Sequence, residues 1–151
     1  MTPTEPTHRG GGADRLLSAL ERAVSERMRL ALEPEGLDLE EWRVLSFLSD
    51  GDGHTMADTA EFALLPPPTL TKVVNRLVSN NLVHRRTGTV DRRQVLIRTT
   101  ARGQRKFEDV AGVVESVHRA LFASDAAREA FETVLSTALD NATSSPASVD
   151  H

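Results

Sequence analysis

The sequence predicts a mainly α-helical fold that carries one small β-hairpin. Apolar residues recur at helical spacing through most of the chain. Two short segments, Leu82 to Arg86 and Val95 to Thr99, are β-branched or basic and flank a basic loop with a glycine. Positive charge is concentrated in that same central region, between acidic flanks.

In chain order, residues 1–12 and 142–151 read as disordered tails, being poor in apolar residues and rich in Thr, Ser, Pro or Gly. One domain is expected between them, over 13–141. Asp14 to Leu32 form a helix with a stripe of Leu16, Leu17, Leu20, Val24 and Met28, closed by Pro34 and Gly36. Asp38 to Glu41 is a capping box: the Asp38 carboxylate accepts from an orphan backbone N–H and Glu41 reaches back. The helix it opens carries Trp42, Leu45 and Leu48 and stops at the Asp50-Gly51-Asp52-Gly53 turn. Thr55 caps a further short helix, with Ala57, Ala60 and Phe62 as its expected buried side. After Pro66-Pro67-Pro68, where proline is tolerated in a first turn, a helix runs to about Asn80. Its stripe is Leu70, Val73, Val74, Leu77 and Val78. The opposite face presents Thr69, Lys72, Asn75, Arg76 and Ser79, with Thr71 at its border and no acid. Beyond the hairpin, Thr100 to Gly103 start a long helix ending near Phe122. Ser124-Asp125 open a last one, with a stripe of Phe131, Val134, Leu135, Ala138 and Leu139.

A chain of 151 residues suffices for one domain with an appended dimerisation element. Its composition, 39% hydrophobic and 26% charged, is that of an ordinary globular protein, so pattern must decide the class. No apolar run reaches the roughly 18 residues of a membrane span. The N-terminus lacks the apolar core of a signal peptide, and a cytoplasmic protein is expected. Without cysteine there is no disulfide framework, thiol switch or Cys-ligated zinc.

The net charge of −4 conceals a segregation. From Pro66 to Lys106 ten basic residues face one acid, Asp91, giving about +9 and leaving about −13 elsewhere. A basic centre of this size is the footprint of a polyanion-binding surface. Short helix, tight turn, amphipathic second helix and basic hairpin follow in order within or beside it, as in a winged helix-turn-helix. The second helix of such a motif lies in the major groove. Lys72 and Arg76 have the reach for guanine or phosphate, Asn75 suits adenine, and Thr69 and Thr71 suit phosphate or a thymine methyl. Arg92, at the hairpin tip, fits a narrow minor groove, where the potential is most negative. Asp91 is expected to pair with Arg93 and stiffen the tip, and His84 and Arg85 to meet phosphate. The expected DNA-binding set is Thr69, Thr71, Lys72, Asn75, Arg76, Arg85, Arg86, Arg92 and Arg93.

From Leu39 to Gly103 the chain resembles the multiple-antibiotic-resistance regulator (MarR) family. The matching pieces are Trp42 to Leu45, Thr69 to Val78, Asn81 to Arg85, Asp91-Arg92-Arg93 and Leu96 to Gly103. Most specific is the Asp-Arg-Arg wing followed by Thr100-x-x-Gly103. The resemblance implies a winged helix-turn-helix over about 38–100 and a helical dimerisation lobe from about 14–33 and 101–140. It implies an obligate homodimer on a pseudo-palindromic operator, usually repressing. Release would follow entry of a small aromatic or phenolic ligand between the two lobes. The chain departs from the thiol-sensing branch in lacking cysteine. It departs from the urate-responsive branch in having no Trp in the first helix; its one tryptophan, Trp42, is expected in the core.

Two other classes fit less well. An enzyme is not expected: there is no Cys nucleophile, phosphate-cradling glycine loop or His-x-x-x-His pair, and the five histidines are widely spaced. Nothing calls for a cofactor or metal. An interaction module that kept only the winged shape tends to lose the exposed bases, and these are present.

Overall fold

The computed structural model describes residues 12–144. It forms two compact units, one ending at Val114 and the other starting at Glu115. The first holds α1 (Gly12–Leu32), a 3-10 turn (Glu33–Glu35), α2 (Leu39–Leu48), β1 (His54–Thr55), α3 (Met56–Ala63), α4 (Pro67–Ser79), β2 (Val83–Thr87), β3 (Val95–Thr99) and most of α5 (Ala101–Arg119). The last turn of α5 and the whole of α6 (Asp125–Ser144) make the second.

The stop after α1 is the expected one: Pro34 lies in the 3-10 turn and Gly36 closes it at φ 71°. The α2 capping box is complete, with Glu41 N–H donating to Asp38 Oδ1 (2.7 Å) and Asp38 N–H donating to Glu41 Oε2 (3.0 Å). Val44, Leu45 and Leu48 of α2 and Leu70, Val73, Val74 and Leu77 of α4 are buried and make the core of the helix-turn-helix. Val78, the fifth residue of the expected α4 stripe, remains exposed. Trp42 is buried as expected and stacks on Phe107 of α5, ring centroids 5.3 Å apart.

Around α3 the buried face differs from expectation. Thr59, Ala60 and Ala63 point inward, while Ala57 and Phe62 are exposed. Threonine is tolerated inside because its hydroxyl donates to the Thr55 carbonyl at 2.7 Å. Phe62 instead lies along Phe47 of α2, with centroids 4.5 Å apart.

Three antiparallel strands form the sheet, in the order β1-β3-β2. Two of them are the expected hairpin, with the first strand at Val83–Thr87, one residue later than anticipated. Leu82 is drawn out of the strand by its backbone: its N–H donates to the Leu77 carbonyl, and its own carbonyl accepts from Thr100 N–H at 3.0 Å. β1 was not anticipated, since two residues carry no alternation to read. Opposite Leu82 sits Gly103, where a Cβ would fall 1.9 Å from the Leu82 carbonyl oxygen. Only glycine lets the first turn of α5 meet the strand there. The Thr100 hydroxyl finishes the joint, accepting from Gly103 N–H (2.9 Å) and donating to the Asn81 carbonyl (2.7 Å).

α5 ends at Arg119, three residues before the expected Phe122, because the chain there tightens into i→i−3 bonds from Leu121 and Phe122. In the second unit Ser124 caps α6, accepting from Ala127 N–H at 3.1 Å. Arg128 Nη1 lies 2.7 Å from Glu115 Oε1, and Phe122 packs on Phe131. α6 continues to Ser144, so Ala142–Ser144, assigned to a tail on composition, are helical. The Thr143 hydroxyl bonds back to the carbonyls of Leu139 and Asp140 and needs no apolar partner. At the other end Gly12 begins α1. The remainder of the tails expected over 1–12 and 142–151, residues 1–11 and 145–151, lies outside the described residues.

Both outer helices keep apolar stripes in solvent. On α1, Leu16 and Leu17 are 63% and 50% exposed, and only Met28 and Leu32 are buried. On α6 no residue is buried, and Val134 and Leu139 are 65% and 64% exposed. No helix among the described residues is long and apolar enough to cross a membrane.

Candidate nucleic-acid interface

α3 and α4 are joined by a tight turn. Leu64 sits in the left-handed region at φ 58°, and its N–H and that of Leu65 close onto the last turn of α3. Pro66 then caps α4, and Pro67 and Pro68 fill its first turn, where the absent N–H groups would have had no helical partner. The resulting α4 buries one face and exposes the other. Lys72, Asn75, Arg76 and Thr71 are exposed and Thr69 is half-buried. The Thr71 hydroxyl donates back to the Pro67 carbonyl at 3.1 Å. Lys72 makes no ion pair among the described residues.

Two expected base readers are tied to protein groups. Arg85 Nη2 donates to Asn75 Oδ1 at 2.6 Å, so β2 braces the amide that was assigned to adenine. The oxygen it holds is the one that accepts from adenine N6, which still leaves a lone pair and both amide hydrogens for a base. The second is Arg76. Its α4 neighbours include no acid, yet its guanidinium reaches α2, with Nη2 2.9 Å from Asp38 Oδ2 and Nε 3.2 Å from Glu41 Oε1. Glu40 Oε2 lies 4.0 Å away. The Glu41 hydrogen bond raises the Arg76 pKa further; burial opposes this, and the Asp38 and Glu41 charges add to it.

In the hairpin, Gly88 N–H donates to the Gln94 carbonyl (2.7 Å) and Gln94 N–H to the Asp91 carbonyl (3.1 Å). A Cβ on Gly88 would come within 2.7 Å of the Asp91 carbonyl, so this position too needs glycine. Asp91 does stiffen the tip, but through the backbone: its carboxylate accepts from Arg93 N–H at 2.9 Å and makes no ion pair with the Arg93 side chain. Neither Arg92 nor Arg93 pairs with an acid among the described residues, and both are exposed. Arg86 is exposed on β2. His84 is half-buried opposite Arg98, and burial, then Arg86 and Arg98, push its pKa below the ordinary imidazole value. Arg98, for which no role was expected, donates to the Gly51 carbonyl at 3.0 Å and crosses Gly53 so closely that a Cβ there would lie 2.7 Å from its Nε.

Of the ten bases between Pro66 and Lys106, Arg76 and Lys106 pair with acids among the described residues, Lys106 with Glu35 at 3.6 Å. The rest of the positive charge faces outward or lies against backbone. His54 is held by Asp50 (2.7 Å) against Phe47, and no group of three His, Asp or Glu among the described residues is placed to hold a metal.

A family profile described as MarR family matches residues 35–94, the stretch that contains α2, the helix-turn-helix and the wing up to Gln94. Over residues 35–94, from the 3-10 turn to the loop of the wing, the chain matches the MarR family. Among curated proteins, an uncharacterized HTH-type transcriptional regulator, YwoH of Bacillus subtilis, is 30% identical over 89 residues. That alignment covers 59% of this chain and 64% of YwoH, so the chain spans somewhat under two thirds of that relative. Among solved structures, CouR from Rhodococcus jostii RHA1, bound to p-coumaroyl-CoA, is 27% identical with a TM-score of 0.76, covering 82% of this chain and 89% of CouR. The MepR–DNA complex of S. aureus superposes with a TM-score of 0.74 at 20% identity, over 85% of this chain and 96% of MepR, which is a likeness of fold. The MarR-family match includes the Asp91-Arg92-Arg93 wing, and the structural likenesses reach well beyond it along the chain.

Proposed function

We propose that this chain is a sequence-specific, DNA-binding transcriptional regulator, a homodimeric repressor of a pseudo-palindromic operator rather than an enzyme, acting in the cytoplasm. The observation that carries the reading is the surface made by α4 and the hairpin. Thr69, Thr71, Lys72 and Asn75 stand on a helix face without acids, Arg85 and Arg86 flank it, and Arg92 and Arg93 project from the wing without acidic partners among the described residues. α4 enters the major groove and the wing meets the adjacent minor groove, where arginine is favoured. The exposed apolar stripes of α1 and α6 are the surfaces a second copy covers. Two-fold symmetry then sets two half-sites roughly 34–36 Å apart.

Ligand response belongs to the same reading. CouR is described with p-coumaroyl-CoA bound. Here a cleft of about 410 Å³ opens between the 3-10 turn, the end of α4 and the start of α5, lined by Arg102, Arg105 and Lys106 with Glu35 and Asp109. Its charges suit an aromatic ligand that carries an acid group better than a neutral phenol.

Charge reversal of Arg92 and Arg93 to Glu tests the reading. Binding of the full chain to its own upstream DNA should be lost while the thermal melting curve is kept. Unchanged DNA binding, or an upstream duplex ignored by both proteins, contradicts it.

A further inference from the structure

We propose that Arg76 does not read DNA: it is a positioning residue that locks α4 to the α2 capping box, and DNA affinity depends on the acids it holds. This rests on the reading that the exposed face of α4 meets DNA.

The geometry is a closed circuit of charge-assisted bonds. Each carboxylate of the capping box spends one oxygen on backbone and the other on Arg76. Asp38 accepts from Glu41 N–H with Oδ1 and from Arg76 with Oδ2. Glu41 accepts from Asp38 N–H with Oε2 and from Arg76 Nε with Oε1. The acids are therefore oriented before Arg76 arrives, and a planar fork meets two fixed acceptors. The Glu41 side chain is only 9% exposed, and Arg76 is its ion-pair partner among the described residues. Moving Arg76 to a base would leave that carboxylate enclosed without its cation, a costly state.

Placement on the helix agrees. At about 100° per residue, Lys72, Asn75 and Ser79 lie at the middle of the exposed face, opposite Leu70, Val73, Val74 and Leu77. Arg76 lies at the margin, next to half-buried Thr69, on the side that turns towards α2.

The sign of one substitution separates positioning from reading. Asp38→Asn and Glu41→Gln keep side chains that still cap a helix start but remove the charge that holds Arg76. If acids merely restrain a base-reading arginine, their loss frees it, also lowers repulsion from phosphate, and affinity rises. If Arg76 positions α4, their loss weakens binding although negative charge has been removed.

The experiment is fluorescence anisotropy of the full chain on its upstream DNA and on a random duplex, across a salt series, for wild type, Arg76→Ala, Asp38→Asn/Glu41→Gln and Lys72→Ala. Amide exchange of α4 without DNA is measured in parallel. The expected result is about tenfold weaker binding for both Arg76→Ala and the acid pair, with the slope of log K against log salt unchanged. Lys72→Ala should lower that slope by about one. Faster exchange of α4 amides should accompany the acid pair. A slope reduced by about one in Arg76→Ala, or tighter binding by the acid pair, overturns the proposal. So does unaltered exchange in α4, a readout that stands even if Arg76→Ala fails to fold. Wild type that binds neither duplex overturns the DNA reading instead, and the exchange result then decides whether the lock exists.

Discussion

At Gly103 one hydrogen atom stands where any other residue would place a carbon 1.9 Å from the Leu82 carbonyl oxygen. Both partners are backbone, so neither can step aside by a rotamer change. Gly103→Ala is expected to cost about 3 kcal/mol or more, seen as a lower denaturant midpoint. A midpoint within error of wild type would contradict the tight joint. His84 gives a pH signature. Burial, then Arg86 and Arg98, hold its folded pKa below the unfolded one. The unfolded chain therefore takes up the proton first, and stability falls as pH drops through the ordinary imidazole range near 6.5. His84→Gln should remove part of the loss seen between about pH 7.5 and 5.5, measured by urea unfolding at both values. An identical pH dependence in the variant would refute it. At this scale the sequence showed the Thr-x-x-Gly helix start and the capping box, because both are local in sequence. It did not show that Arg76 belongs to Asp38 and Glu41, 38 and 35 residues away, because only folding brings α2 and α4 together.

Helix α4 was the most legible element, its strong stripe bounded by prolines and followed by Asn80 and Asn81. The short elements were read less well. α3 has too few turns for its stripe to be unambiguous, and the hydroxyl of Thr59 disguised an inward position by bonding to its own helix. β1 pairs His54 with Ile97 and Thr55 with Leu96, a decision made by β3 far along the chain. The turn between α3 and α4 holds Leu64 at φ 58°, a conformation that costs non-glycine residues about 1 kcal/mol, with the side chain 77% exposed. Leu64→Gly is expected to raise stability by about 0.5–1 kcal/mol, read as a higher melting temperature, with DNA affinity kept. A lower melting temperature would mean that the exposed Leu64 side chain contributes packing. For α1, the helix was legible in the sequence, but the single chain leaves Leu16, Leu17 and Leu20 of its stripe in solvent. Leu16→Glu with Leu20→Glu should convert a dimer to monomer in sedimentation at micromolar protein. A monomeric wild type, or a dimer that survives both changes, would contradict the role given to that stripe.

Over the whole molecule, acidic flanks and a basic centre divide the labour. The acids cap α2, pair within α1 and hold α6 through Glu115 and Arg128, while Lys72, Arg86, Arg92 and Arg93 remain without acidic partners among the described residues. In the proposed function their charge meets phosphates, and the negative remainder limits indiscriminate adhesion. The most direct measurement is the affinity of the full chain for its own upstream DNA and for a random duplex of equal length, from about 50 to 200 mM salt. Tighter binding to the upstream duplex, with log K falling linearly in log salt for both, is the predicted result, the slope counting the phosphates neutralised. No binding to either duplex at the lowest salt would contradict the central claim that α4 and its wing form a DNA-binding surface.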